Sequence, residues 1–238
     1  MSDAERMDQY PAQEGQSVPE SAPVRRRLSN WPPISTAIIA ICILMAVAGR
    51  IQPQVTVELM FYPPLASEQP YRFFTSAVLH SGFWHLAFNM YALWILGRVL
   101  EPAFGAVRFI LLYVLAAFGG NVAIMLLSNL TGEWNIGAVG ASGAIFGLFG
   151  ALAILYKRVK ANMSGILAIL GINLVLGFVV QGISWESHLG GLVVGILLTW
   201  LWIGIGSRFQ GKREHARLTA DIGVALLLFA AMVGLLLI

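Results

Sequence analysis

Residues 137–156 read GAVGASGAIFGLFGALAILY, twenty positions without a charged side chain. A helix needs about 20 such residues to cross a bilayer. The lead-in from Asn135 to Gly140 is rich enough in glycine to be a loop dipping into the membrane. Irregular backbone at that depth is tolerated only where protein buries it or where it lines a water-filled cavity. A helix beginning near Ser142 leaves its first backbone N–H groups free and turns its positive dipole end toward the serine. Ser142 then sits roughly 7 Å inside the start of the apolar run.

Six more apolar runs flank this one, at about 33–49, 83–100, 106–128, 163–182, 187–206 and 220–238. Composition agrees with a membrane setting. Of 238 residues, 58% are hydrophobic, 15 are Lys or Arg and 12 are Asp or Glu. Nine of those charges fall within residues 1–30. A soluble domain carries roughly 25% charged residues. The rest of this chain could not cover a soluble surface, so it reads as an all-α, polytopic membrane protein. A net charge of +3 without a basic cluster beside an aromatic strand excludes a nucleic-acid binder. The lone Cys42 excludes an intramolecular disulfide framework and a cysteine-ligated metal. With four histidines in all, no metal and no other cofactor is expected.

Residues 1–30 lack apolar periodicity and are expected to be a disordered tail, with no secretory signal in it. Arg25, Arg26 and Arg27, then Trp31, Pro32 and Pro33, announce the first span. If seven helices alternate, 13 of the 15 basic residues fall on one side, leaving Arg50 and Arg72 on the other. The positive-inside rule then puts the N-terminus in the cytoplasm and the C-terminus outside. The long connection 50–82 carries Phe61, Tyr62, Tyr71, Phe73 and Phe74 and is expected to lie among the lipid headgroups.

Against this apolar background three polar clusters stand out. His80-Ser81-Gly82-Phe83-Trp84-His85 opens the second run, which continues to Asn89. Gly140-Ala141-Ser142-Gly143 opens the fourth, followed by Phe146 and Gly147. Ser187-His188-Leu189-Gly190-Gly191 opens the sixth, followed by Gly195. Each has a bland explanation. Gly143 with Gly147, and Gly191 with Gly195, are small-xxx-small pairs that let helices pack closely, and Ser142 could be one more small packing residue. A histidine at a helix end is usually interfacial, and His85 with Asn89 shares a helix face as a structural pair would. The bland explanations weaken together, because all three clusters lie at the same end of their helices. A serine at a helix N-terminus, a histidine from another helix and free N–H donors are the parts of an acyl-transfer site.

The run Gly-x-Ser-Gly-Ala-x-Phe-Gly at 140–147, the upstream His85-x-x-x-Asn89 and the later His188-x-x-Gly191-x-x-x-Gly195 resemble the rhomboid family of intramembrane serine proteases. The resemblance covers about residues 33–206. Tyr71-Arg72 looks like that family's Trp-Arg pair, with tyrosine in place of tryptophan. The resemblance implies a rhomboid-like six-helix core over 31–206. It also implies a linker on the cytoplasmic side and an extra seventh span over 207–238.

It further implies a Ser142–His188 catalytic dyad. Ser142 would be the nucleophile, and His188 the general base and then the general acid. His85, Asn89 and the Ser142 backbone N–H would form the oxyanion hole. Phe146 would pack on His188, Gly143, Gly147, Gly191 and Gly195 would support the close helix approach, and Gly140 is a further supporting residue. Glu186, expected in a loop, is a poor third member. The implied substrates are transmembrane helices of other membrane proteins, cut near their outer ends. The implied location is a bacterial inner membrane, and the loop at about 182–187 and the fifth span would move as cap and gate. Two other readings compete: a catalytically silent rhomboid-like protein that binds membrane clients, and a small transporter. The transporter would show an internal repeat with paired broken helices, and none is visible.

Overall fold

The computed structural model describes residues 31–179, 183–208 and 214–237. The expected tail over 1–30, and Gly182 of the expected cap, lie outside the described residues. Nine α-helices occur among the described residues: α1 Pro33–Ile51, α2 Gln54–Leu59, α3 Arg72–Thr75, α4 Phe83–Phe104, α5 Ala106–Thr131, α6 Ser142–Arg158, α7 Ser164–Val179, α8 Trp185–Arg208 and α9 Glu214–Leu235. Single 3-10 turns occupy Pro63–Leu65 and Ser76–Val78. No β-strand occurs among the described residues, only one antiparallel bridge between Phe61 and Ala138.

Among the described residues, four helices are long and apolar enough to cross a membrane: Pro33–Ile51, Ala106–Thr131, Trp185–Ser207 and Glu214–Leu235. α4 is long enough at 22 residues but carries His85, Arg98 and Glu101 within its length. α6 runs for only 17 residues and ends on Lys157 and Arg158, the end where positive charge suits the helix dipole. The chain is an integral membrane protein built from helices, and its apolar outer faces suit a lipid solvent. Leu44 on α1, Phe88 on α4, Ile172 on α7 and Leu227 on α9 all stand exposed.

The centre of the bundle is α5, α6 and α8. Glycine sets how closely they approach. A Cβ on Gly191 would strike the Gly143 carbonyl, and one on Gly195 would strike the Gly147 carbonyl. The constant offset of 48 residues means that α6 and α8 run parallel. α5 runs against both, because Ala116 meets Gly147 while Gly120 meets Ser187.

α1 docks on α4 by a different device. Its N-terminus has no local side-chain cap. Glu101 of α4 supplies one across the chain, accepting the Ile34 and Ser35 N–H groups at 2.9 Å each and the Ser35 hydroxyl at 2.7 Å. A carboxylate against a helix N-terminus satisfies orphan donors and complements the dipole.

Two features go beyond the apolar runs. α9 starts at Glu214, six residues before the apolar run, so the expected linker is partly helix. Glu214 sits at the helix N-terminus and pairs with Arg108 at 3.0 Å, which favours helix there. The connection 52–82 is folded against the bundle. Phe61 and Phe73 are buried, 4.8 Å apart, and Phe73 meets Phe118 of α5. Arg72, also buried, staples the connection by donating to the Val57 and Met60 carbonyls at 2.8 and 2.7 Å and to Gln69 at 2.6 Å.

Candidate active site

Ser142 is the first residue of α6, and the first α6 bond runs from the Ile145 N–H to the Ala141 carbonyl at 3.0 Å. The Ser142, Gly143 and Ala144 N–H groups therefore have no partner within the helix. The backbone ahead of it is pinned by hydrogen bonds. Phe61 and Ala138 exchange N–H···O bonds of 3.0 and 2.9 Å, and the Gly140 N–H donates to the Ser76 carbonyl at 2.9 Å. Gly140 has φ +136°, a conformation side chains resist. A Cβ there would also stand 2.9 Å from His85 Cε1 and Nε2 and 3.5 Å from Ser142 Oγ. One bare backbone position thus faces both the expected nucleophile and an expected oxyanion donor.

His188 lies in the first turn of α8, buried. Its ring is parallel to Phe146, with 4.1 Å between centroids and 9° between planes. Phe146 follows Ser142 by one turn, so both project from one face of α6 toward α8. Among the described residues, Ser142 Oγ and His188 are not hydrogen-bonded to each other, and His188 Nδ1 is buried without a partner. Catalytic hydrogen bonds are often long in a substrate-free enzyme and tighten in the complex. Glu186 is in the first turn of α8, not in a loop, and accepts from the Ser184 hydroxyl at 2.9 Å. That carboxylate is engaged at the helix start, where Ser184 also accepts the Ser187 N–H at 3.4 Å.

His85 is oriented by a residue that carries no role in the sequence reading. Ser81 approaches its Nδ1 through the hydroxyl at 3.0 Å and through the backbone N–H at 3.4 Å. In the tautomer that lets Nδ1 accept the Ser81 N–H, Nε2 carries the proton on the Gly140 side. Asn89 is buried, and its amide donates to the His85 carbonyl at 2.8 Å, leaving one N–H. His80 packs edge-on against His85 at 5.1 Å. In the connection ahead of α4, burial first and His85 second push the His80 pKa down to about 4.

Asn121 of α5 also escaped the sequence reading. Its amide donates to the Phe73 carbonyl at 2.9 Å and to Ser76 Oγ at 2.8 Å, and Ser76 holds Gly140. The available signal was a polar side chain inside an otherwise apolar helix. The structure thus gathers Ser142, His188, His85, Asn89, Phe146 and Gly140 at one end of α4, α6 and α8. It threads Gly143, Gly147, Gly191 and Gly195 along the α6–α8 contact below them.

A polar centre enclosed by apolar helices, rather than set on a soluble surface, defines this as a helical membrane protein with a site inside its bundle. A family model described as the Rhomboid domain matches residues 67–205, and the chain belongs to the rhomboid family. It is 39% identical over 136 residues to Rhomboid protease GluP of Bacillus subtilis (strain 168), a match covering 55% of this chain and 26% of that protein. It is 38% identical over 140 residues to RHOMBOID-like protein 1 of Arabidopsis thaliana, covering 56% of this chain and 34% of that one. It is 31% identical over 157 residues to Rhomboid protein 1, mitochondrial, of Saccharomyces cerevisiae (strain ATCC 204508 / S288c), covering 61% and 44%. The matched part thus spans less than half the length of each of these relatives.

Proposed function

We propose that the protein is an intramembrane serine endopeptidase that cuts transmembrane helices of other membrane proteins near their outer ends. The observation that carries this is the His188 ring stacked on Phe146, one turn from Ser142, in a chain of the rhomboid family. Ser142 Oγ attacks the scissile carbonyl while His188 takes its proton. The tetrahedral oxyanion is held by His85 Nε2–H, the free Asn89 N–H and the Ser142 N–H. His188 then protonates the leaving amine, and water, activated by the same imidazole, releases the acyl group from Ser142. Losing one oxyanion donor typically costs about 2.7–4 kcal/mol of barrier. A substrate helix has its backbone bonded internally, so small and helix-destabilising residues near the cut favour the unwinding this attack needs.

The same proposal sets seven spans, six in a core over 31–206 and one in the segment 207–238. Charge bias supports an N-terminus in the cytoplasm and a C-terminus outside a bacterial inner membrane. The silent client-binding alternative is disfavoured by the presence of both Ser142 and His188. The experiment is to incubate wild type, Ser142→Ala and His188→Ala with a library of single-span helices and map products by mass spectrometry. Cleavage by wild type alone is expected. Equal cleavage by Ser142→Ala would overturn the assignment.

A further inference from the structure

α9 is fastened to the bundle at two levels. Near its start, buried Asp221 accepts Arg108 Nε of α5 at 2.7 Å, while its backbone carbonyl accepts the Trp202 indole N–H of α8 at 2.8 Å. Eight residues on, about 12 Å along the helix, Phe229 enters an aromatic cluster. It lies 4.9 Å from the Phe118 ring of α5 and 6.4 Å from Phe74 of the 52–82 connection. Phe74 is stacked on Phe118 at 5.2 Å, and Phe118 is 5.1 Å from Phe73.

The cluster leads to the backbone that presents Ser142. Phe73 is 4.8 Å from Phe61, and Phe61 is one half of the bridge to Ala138. An isolated bridge has two hydrogen bonds and no neighbouring rungs, so its geometry depends on how Phe61 and its neighbours are packed. Two residues beyond Ala138 comes Gly140, held by Ser76, and two more reach Ser142. Phe74 is exposed at the edge of the cluster. Its ring contacts are Phe118 on one side and Phe229 on the other, so removing the Phe229 ring takes away one of the two.

We propose that Phe229 is a positioning residue: by clamping Phe74 and Phe118 it holds the Phe61–Ala138 bridge, and so the Gly140–Ser142 turn, in its working arrangement. The role rests on the reading of Ser142 as nucleophile. It gives the extra C-terminal helix a task in the reaction although no α9 side chain enters the site.

The test uses the full chain in nanodiscs as wild type, Ser142→Ala, Phe229→Ala, Phe229→Tyr and Leu227→Ala, the last on an exposed position of α9. Two readouts are taken: amide hydrogen exchange, and covalent labelling of Ser142 by a fluorophosphonate, resolved into maximal rate and half-saturating concentration. Phe229→Ala is expected to speed exchange at the Phe61, Ala138 and Gly140 amides and to lower the maximal labelling rate, each by roughly tenfold. Half-saturation should stay put. Phe229→Tyr, which keeps the ring, restores both, and Leu227→Ala changes neither.

Unaltered exchange at those amides in Phe229→Ala, with ordinary wild-type labelling, overturns the positioning role alone. Faster exchange spread equally over α6 and α8 overturns it too, since that is general loosening. A wild type labelled no faster than Ser142→Ala overturns the peptidase reading and, with it, the role.

Discussion

The Phe146 ring lies parallel to the His188 imidazole at 4.1 Å, so one face of the histidine is held by the same helix that starts at Ser142. Stacked ring pairs contribute about 0.5–1.5 kcal/mol beyond their buried area. More consequential here is orientation, since a misplacement of about 1 Å can cost 100-fold in rate. Phe146→Leu, which keeps most of the volume, is expected to lower kcat roughly tenfold or more while moving the melting temperature by only a few degrees. Phe146→Tyr should retain most of the rate. Turnover and thermal unfolding measured side by side check this, and equal rates for Phe146→Leu and wild type would remove the orienting role.

The α6–α8 contact makes a contrast between glycines. Gly191→Ala and Gly195→Ala each drive a methyl into a backbone carbonyl, which cannot swing aside as a side-chain tip can. Overpacking of this kind costs about 1–3 kcal/mol. The same helix carries Gly204, where an added Cβ meets nothing within 4 Å. Gly204→Ala is expected to be neutral or to stabilise by up to about 1 kcal/mol through helix propensity. Denaturant midpoints of the three variants give the comparison, and activity should follow the first two downward.

Much of this was legible in the sequence for one physical reason: lipid makes polar groups conspicuous. Ser142, His188, His85 and Asn89 stand out because their neighbours along the chain are apolar, and the spacing of Gly143, Gly147, Gly191 and Gly195 announces close helix contact. What escaped was long-range pairing. Nothing local says that Glu101 caps a helix 66 residues earlier, or that Asn121 reaches Phe73 and Ser76. Phe61 and Phe73 look like interfacial aromatics until α5 is seen to supply Phe118 as a partner. The start of α9 lies ahead of its apolar run, because such a run marks where lipid begins, whereas Glu214 and its ion pair mark where the helix begins.

His80 gives a pH dependence of stability with a defined sign. Its pKa is lowered from 6.5 to about 4 in the folded protein, first by burial and then by His85. Between those values the unfolded chain binds a proton that the folded one refuses. The contribution is therefore fully present above about pH 6.5 and is lost as pH falls toward 4. The denaturant midpoint is expected to decline across that window, and His80→Leu should flatten the decline. A slope unchanged by His80→Leu would show that other groups cause it.

The Arg108–Asp221 pair separates the cost of breaking a buried ion pair from the value of having one. Asp221 is fully buried, and Arg108 reaches it at 2.7 Å while also donating to Glu214 at 3.0 Å. Asp221→Ala takes the buried carboxylate from Arg108 and leaves it only the exposed Glu214 and the Phe104 carbonyl, so the loss should approach the about 3–5 kcal/mol typical of breaking a buried pair. Replacing both partners by apolar groups removes the Arg108 charge as well, and such exchanges are often neutral or stabilising. Arg108→Leu combined with Asp221→Leu is therefore expected to recover most of what Asp221→Ala loses. The double variant keeps Phe229 and its aromatic cluster, so its labelling rate at Ser142 should stay near wild type. Unfolding in detergent measures the stability of each variant. A double variant as unstable as Asp221→Ala would mean that the pair itself, not the loss of one partner, sets the docking of α9.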